Sequence, residues 1–322
     1  MSIKIKVNLP YDVYNCLLND MELFNFKKKD GSINKNSFIN TLFKNYHKIF
    51  LDHEKELESK IKNITSDKEN VYKIISLINE NNYEDYYYYD YDLQFILNKE
   101  NEQYFEMIEK YYLKERTISK YFRDMFISYV SKSQYKRESI IYEPIYSKLD
   151  EAIKKKKRII MTDINKESTI IDPFDIDTTK EELYNYLVGV AVRKDKREIK
   201  TIRLYKIALV NITLDDIEIT HEEIELLSST ITHGAQFVME STKNYSIVRL
   251  TNKGIKLFNE IYLNRPHPVK IEKNEYFFDC SYTQLEVYFF KFGYEALIVK
   301  PYDLRKKITN KYQKALRLYQ GK

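Results

Sequence analysis

The first residues alternate. In SIKIKVN, Ile3, Ile5 and Val7 fall on one side of an extended chain and Ser2, Lys4, Lys6 and Asn8 on the other, a period of two that predicts a half-buried strand. Pro10 suits the first turn of a helix, and Val13, Tyr14, Leu17, Leu18 and Met21 recur at helical spacing. KKKDGSINKN, with its Asp-Gly, is a turn. A second helix follows, striped by Phe38, Ile39, Leu42, Phe43, Tyr46, Ile49 and Phe50. One strand and two helices cannot close a core, because the strand has no partner in its segment. A second chain can supply one; so can an ordinary local sheet. Residues 53–143 read as helical, ending in TISKYFRDMFISYVSK with Ile118, Tyr121, Phe122, Met125 and Tyr129 on one stripe. Within them ENNYEDYYYYDYD reads as a loop: its tyrosines could stack on bases, but its acids repel phosphate.

From Pro144 the texture changes. IYSKLDEAIKKKKRIIMTD reads as a short helix entering a strand. IIDPFDI, LYNYLVGVAV and IKTIRLYKIALVNI then give short strands in quick succession, which predict a small barrel. Tyr184, Tyr186, Val188, Val190 and Val192 share one face of their strand. In the next, Thr201, Arg203 and Tyr205 share a face and Ile202 and Leu204 the other. An Arg in that setting either pairs with an acid such as Glu198 or points at an anion, and Tyr186 is either a core residue or the rim of a site. Further on, NYSIVRLTNKGIKLFNEIY, VKIEKNEYFFDCS and TQLEVYFFKFG repeat strand-then-helix, and a last helix carries Leu304, Ile308, Tyr312, Ala315, Leu316 and Tyr319 on one side. The expected fold is α+β: residues 1–52 strand–helix–helix, 53–143 a helical linker, 144–213 a small β-barrel and 214–322 an α/β domain.

Composition narrows the function. Among 322 residues, only Cys16 and Cys280 are cysteines, which excludes a disulfide framework and fits a reducing cytoplasm. No apolar run approaches the ~18 residues of a membrane span, and MSIKIKVNLP lacks a signal peptide's apolar core, so a soluble cytoplasmic protein with no membrane partner is expected. Cations gather at both ends. Residues 1–50 hold eight Lys against four acids, and residues 300–322 hold eight Lys or Arg against Asp303 alone. With Lys154 to Arg158 as a further basic run, this distribution fits contact with a polyanion, or a solvated face. Five scattered His show no metal-ligand spacing, HGAQFVMES lacks the setting of a Ser nucleophile, and there is no Gly-rich phosphate loop. No catalytic group, metal or cofactor is expected, and the chain does not read as an enzyme.

Two resemblances add to this reading. Residues 2–50 resemble the ribbon-helix-helix family of DNA-binding domains, in which two chains pair their strands into a ribbon that enters the major groove. The resemblance implies a homodimer, with Ser2, Lys4, Lys6 and Asn8 facing DNA and Lys35 and Asn36 near a phosphate at a helix N-terminus. Residues 148–213 resemble the WYL domain of bacterial regulators, in the order LDEAIKKKKRIIM, IIDPFDI, NYLVGVAV, TIRLYKI. Asn185 stands where that family has Trp; Tyr186 and Leu187 are in place. Gly293, Pro301, Leu304 and Arg305 resemble the closing segment of the same proteins, and Arg249 a position where their C-terminal domain often has Arg. The WYL resemblance implies an SH3-like or Sm-like barrel binding single-stranded nucleic acid or a nucleotide-like ligand through Arg203, with Tyr186, Tyr205, Lys206, Lys157, Arg158, Arg249 and Arg305 contributing. It implies a transcriptional regulator. Some proteins pairing these two domains accompany RNA-targeting CRISPR systems, so an accessory protein that binds single-stranded RNA and modulates an effector nuclease is the alternative.

Overall fold

The computed structural model of the chain describes residues 4–63, 91–113, 116–179, 181–193, 196–240 and 245–321, together with Thr65, Asp67, Asn70 and Ile74. Ser2 and almost all of the Tyr-rich ENNYEDYYYYDYD segment lie outside the described residues. The chain divides into two compact units, residues 1–144 and 145–322.

The first unit opens with β1 (Lys4–Leu9), whose burial alternates as its sequence predicts, with Ile5, Val7 and Leu9 inside. Helices α1 (Tyr11–Leu23) and α2 (Lys35–Lys62) follow, the latter capped by the Asn34 side chain accepting from the Ser37 amide. The strand's partner is not a second chain. It is β2 (Tyr91–Ile96), paired antiparallel from Lys4↔Ile96 to Leu9↔Tyr91 within the same chain. A second chain is therefore not needed to pair this strand. β2 lies where the sequence reads as the end of the Tyr-rich loop and the helices after it, and Leu93 and Phe95 alternate too briefly to stand out. Helices α3 (Lys99–Tyr111), α4 (Ile118–Val130) and α5 (Gln134–Ile141) follow.

One hydrophobic core runs from Ile5 to Ile141. The expected boundary after residue 52 falls inside α2, and described residues on both sides of it, from Leu51 to Leu93, Phe105, Phe122 and Ile141, share this core. Asp20 of α1 is fully buried, gripped in two places by Arg137 Nε and Nη2 (2.7 and 3.0 Å) and accepting from Tyr129 Oη (2.9 Å).

The second unit starts with α6 (Glu143–Lys154, overlapping the boundary) and a five-stranded antiparallel sheet: β3 (Lys157–Asp163), β4 (Ser168–Thr178), β5 (Asn185–Arg193), β6 (Lys196–Arg203) and β7 (Ile207–Asp216). Spatial order is β6-β5-β4-β3-β7. A bulge between Pro173 and Asp175 bends β4, because proline cannot donate to the ladder. The closed barrel expected here is corrected to an open sheet. All of β6's ladder goes to β5 and all of β7's to β3, so the two edges, joined through a 3-10 turn at Leu204–Lys206, are not paired with each other. Helix α7 (His221–His233) covers one face through Leu227 against Val188 and Val190, its N-terminus closed by a capping box of Thr220 and Glu223.

The rest is β8 (Ser246–Leu250), α8 (Asn252–Glu260), β9 (Pro268–Glu272), β10 (Glu275–Phe278), α9 (Tyr282–Phe289), β11 (Ala296–Lys300) and α10 (Tyr302–Tyr319). The expected α/β unit is wholly antiparallel. The β-α-β-β-α-β order with strands arranged β11-β8-β10-β9 is a ferredoxin-like arrangement, around a core of Phe258, Phe278, Tyr288, Phe289 and Phe292. Among the described residues no helix is long and apolar enough to cross a membrane.

Candidate nucleic-acid interface

The sheet of the second unit sets Arg203 at the end of β6, directly across from Tyr186 on β5, which is in turn across from Asp177 on β4. Directly opposed residues share a face, so this row places a carboxyl, a phenol and a guanidinium side by side. Strand parity ends at Arg203. The chain then enters the 3-10 turn, which swings Tyr205 under the guanidinium at 4.7 Å from its ring centroid. Tyr184, just before β5, covers Arg203 at 3.3 Å. A delocalised cation between two aromatic faces is a stable arrangement, and it fixes the plane of the guanidinium. All three side chains are partly exposed. Lys206, exposed beside them, lies 5.9 Å from the Tyr205 ring. Burial pushes the Asp177 carboxyl above its ordinary value, with the Thr178 backbone opposing and Asp175 reinforcing the shift. Glu198, the acid considered as an Arg203 partner, lies 3.8 Å from Lys200.

Tyr186 is only partly a surface residue, because it packs against the Val188, Val190 and Leu227 cluster under α7. Tyr184, which is not among the expected site residues, is the ring over which Arg203 lies at 3.3 Å. It directly precedes β5, on the parity that groups it with Tyr186.

The other predicted cations have structural employment. Arg158 Nε and Nη2 reach both oxygens of fully buried Asp172 (2.6 and 3.0 Å). Arg197, which no motif singled out, donates to the same carboxylate (3.3 Å) and to Glu223 on α7 (2.8 and 3.0 Å). The Asp172 hydrogen bonds raise the Arg158 pKa above its ordinary value, and the Glu223 hydrogen bonds do the same for Arg197; Arg197 in turn holds the Glu223 carboxyl low. The aspartate of IIDPFDI is thus the hub of a buried ion network that ties β3, β4, β6 and α7 together. Lys157 Nζ donates to Leu214 O (2.7 Å) and Asp216 Oδ1 (2.8 Å), closing β3 on β7. Arg249 is bound to Glu275 across β8 and β10 (2.6 and 3.1 Å), and Arg305 sits on α10 with its guanidinium 5.3 Å from the Tyr302 ring. Both belong to the ferredoxin-like part, each with neighbours of its own.

In the first unit, Lys4, Lys6 and Asn8 are exposed on the outward face of β1. Lys6 Nζ meets Asp92 of β2 at 2.6 Å. Lys35 donates to Tyr14 Oη (3.3 Å) at the start of α2. Asn36 is spoken for: its Oδ1 accepts from the Ile96 amide (3.2 Å), tying α2 to the end of β2. Among the described residues no group of His, Cys, Asp and Glu could hold a metal ion.

These features describe an α+β protein built from a two-stranded ribbon with helices, an open five-stranded sheet bearing an aromatic-clasped arginine, and a ferredoxin-like unit. No protein-family model and no curated protein matches the sequence. The fold as a whole is similar to the crystal structure of a CRISPR Cas-related protein, with a TM-score of 0.74 over 99% of this chain and 95% of that one at 19% identity. A likeness to proteasome accessory factor B/C of Arthrobacter aurescens, with a TM-score of 0.24 and 14% identity over 58% of this chain and 30% of that one, is too distant to carry an argument.

Proposed function

We propose that this is a non-enzymatic nucleic-acid-binding regulatory protein, whose second unit holds single-stranded nucleic acid or a nucleotide at Arg203 and whose first unit contacts duplex DNA. The observation that carries the reading is the clasp of Arg203 between Tyr184 and Tyr205. A guanidinium held in plane presents its edge to phosphate oxygens two at a time, while the phenol rings offer faces on which a base can stack. Asp177 and Tyr186, in the same row, add hydrogen-bonding groups for a base edge. The resemblance of residues 148–213 to WYL domains points the same way. A second reading, an accessory protein that binds single-stranded RNA and modulates a CRISPR effector nuclease, is favoured by the whole-chain likeness to a CRISPR Cas-related protein.

Fluorescence anisotropy with labelled single-stranded RNA and DNA tests both on the full chain. Arg203→Ala should weaken binding by about tenfold or more, in line with loss of a bidentate phosphate contact and its stacking partner. Arg203→Lys should recover only part, since an ammonium neither forks nor stacks as a plane. Binding unchanged in Arg203→Ala would remove the site. Preference for RNA over DNA of the same sequence would select the accessory reading.

A further inference from the structure

The first unit repeats itself. β1 and β2 are each six residues, and α1 and α3 are each thirteen. Adding 88 to a residue number carries β1 onto residues 92–97, which are β2 from its second residue and the residue after it, with the buried face intact: Ile5 becomes Leu93, Val7 becomes Phe95 and Leu9 becomes Leu97, all buried. The same shift carries Val13, Leu17 and Asp20 of α1 onto Asn101, Phe105 and Ile108 of α3, again all buried. Past the shorter second turn the shift is 83. It carries Phe38, Ile39, Leu42, Phe43 and Tyr46 of α2 onto Tyr121, Phe122, Met125, Phe126 and Tyr129 of α4, the five buried positions of that helix. The caps correspond, Asn34 to Thr117. So do the struts: Asn40 Nδ2 donates to Ile96 O (2.8 Å), and its counterpart Arg123 Nε donates to Asn8 O (2.9 Å), which is the counterpart of Ile96.

The inward positions correspond, except that buried Met21 falls on exposed Glu109, and the outward ones do not. Opposite numbers on the solvent face are Lys4 and Asp92, Lys6 and Gln94, Asn8 and Ile96. Agreement in burial keeps the two halves packing alike, apolar against apolar in the strands and in α2 against α4, while nothing in the fold demands a cation outside.

We infer that residues 4–46 and 92–129 are two copies of one strand–helix–helix unit, so that a single chain builds the two-stranded ribbon, and that this ribbon contacts duplex DNA one-sidedly, through Lys4, Lys6 and Asn8 and not through Asp92, Gln94 and Ile96. This rests on the duplex-binding half of the proposed function. A two-stranded ribbon fits the major groove, and the β1 side supplies the positive charge that phosphates require. Asp92 opposes it, neutralising Lys6 in the free protein through a half-exposed ion pair that costs little to break.

Two measurements on the full chain test this. Lys6 and Gln94 are directly opposed, so Lys6→Cys with Gln94→Cys should oxidise to a disulfide within one chain, at monomer mass on a non-reducing gel, which the parent chain does not form. Covalent dimers, or no disulfide, would overturn the single-chain ribbon whatever the protein binds. In anisotropy with duplex DNA, Lys4→Ala with Lys6→Ala should weaken binding about tenfold and lower the salt slope by about two. Gln94→Ala should change affinity less than about twofold, and Asp92→Ala should tighten binding by releasing Lys6. Equal losses in the lysine pair and in Gln94→Ala would overturn the one-sidedness. Duplex binding indifferent to the lysine pair would place DNA elsewhere and overturn the contact while leaving the protein a DNA binder. If the parent chain binds only single strands, the duplex half of the proposed function fails and takes this contact with it, and the cross-link still reports on the ribbon.

Discussion

Asp172 and Asp124 show how differently two buried carboxylates can stand. Asp172 is fully buried but meets two guanidinium groups, so removing it leaves Arg158 and Arg197 facing one another across an empty acceptor site. Asp172→Ala should cost about 3–5 kcal/mol, the range for breaking a buried ion pair from one side; chemical denaturation measures it, and a loss under about 1 kcal/mol would show that the network is dispensable. Asp124 lies 3.7 Å from Arg116, a cation that Glu54 already holds at 2.6 Å. Burial first, with Lys120 and Arg116 opposing and Glu54 reinforcing, pushes its carboxyl from 3.8 up to about 6. A carboxyl raised on folding binds its proton more readily folded than unfolded, so its ionisation destabilises the fold as pH rises from about 4 through 6. Asp124→Asn should therefore stabilise the chain by about 1–2 kcal/mol at pH 7.5. The gain should shrink as pH falls below about 6; a gain independent of pH would refute the assignment.

At the scale of elements, β4 and β5 depend on a close approach that only glycine permits. A Cβ on Gly189 would lie 2.6 Å from the Asp172 carbonyl oxygen and 3.1 Å from Ile171 Cγ2, beside the Pro173 bulge. Backbone cannot yield there as a flexible side chain would. Gly189→Ala should cost about 1–3 kcal/mol and loosen the row that carries Tyr186 and Arg203. Thermal melts and the anisotropy assay together check it, with loss of stability and of binding expected in the same variant. The Thr220–Glu223 capping box is a separable control: Thr220→Ala should cost about 1 kcal/mol through α7 alone.

For the whole molecule, the division at residues 144 and 145 separates two bodies with their own cores. Units of this size commonly unfold as separate cooperative steps. Calorimetry should show more than one transition, with Asp124→Asn moving one and Asp172→Ala another. One transition shifted by both substitutions would mean that the units fold as one.

The sequence by itself determined the local periods. The alternation of β1, the stripes of α2 and α4 and the short strands after Pro144 follow from which residues must avoid water, and that preference is written along the chain. The pairing of Arg203 with Tyr186 was legible because any hairpin brings neighbours on adjacent short strands together, whereas the rings of Tyr184 and Tyr205 reach Arg203 from outside the strands. Tertiary structure alone decided the pairings across distance. The partner of β1 lies more than eighty residues away, and a single alternating strand is satisfied equally by any edge, whether local, distant or on another chain. The duplication stayed hidden because it conserves burial while the residue types diverge, Val13 against Asn101 and Asp20 against Ile108. The fate of each cation was likewise settled in three dimensions. Arg158 and Arg203 look alike as basic residues at strand ends, but one meets a buried carboxylate and the other two aromatic rings, and only the fold chooses what a long side chain finds within reach.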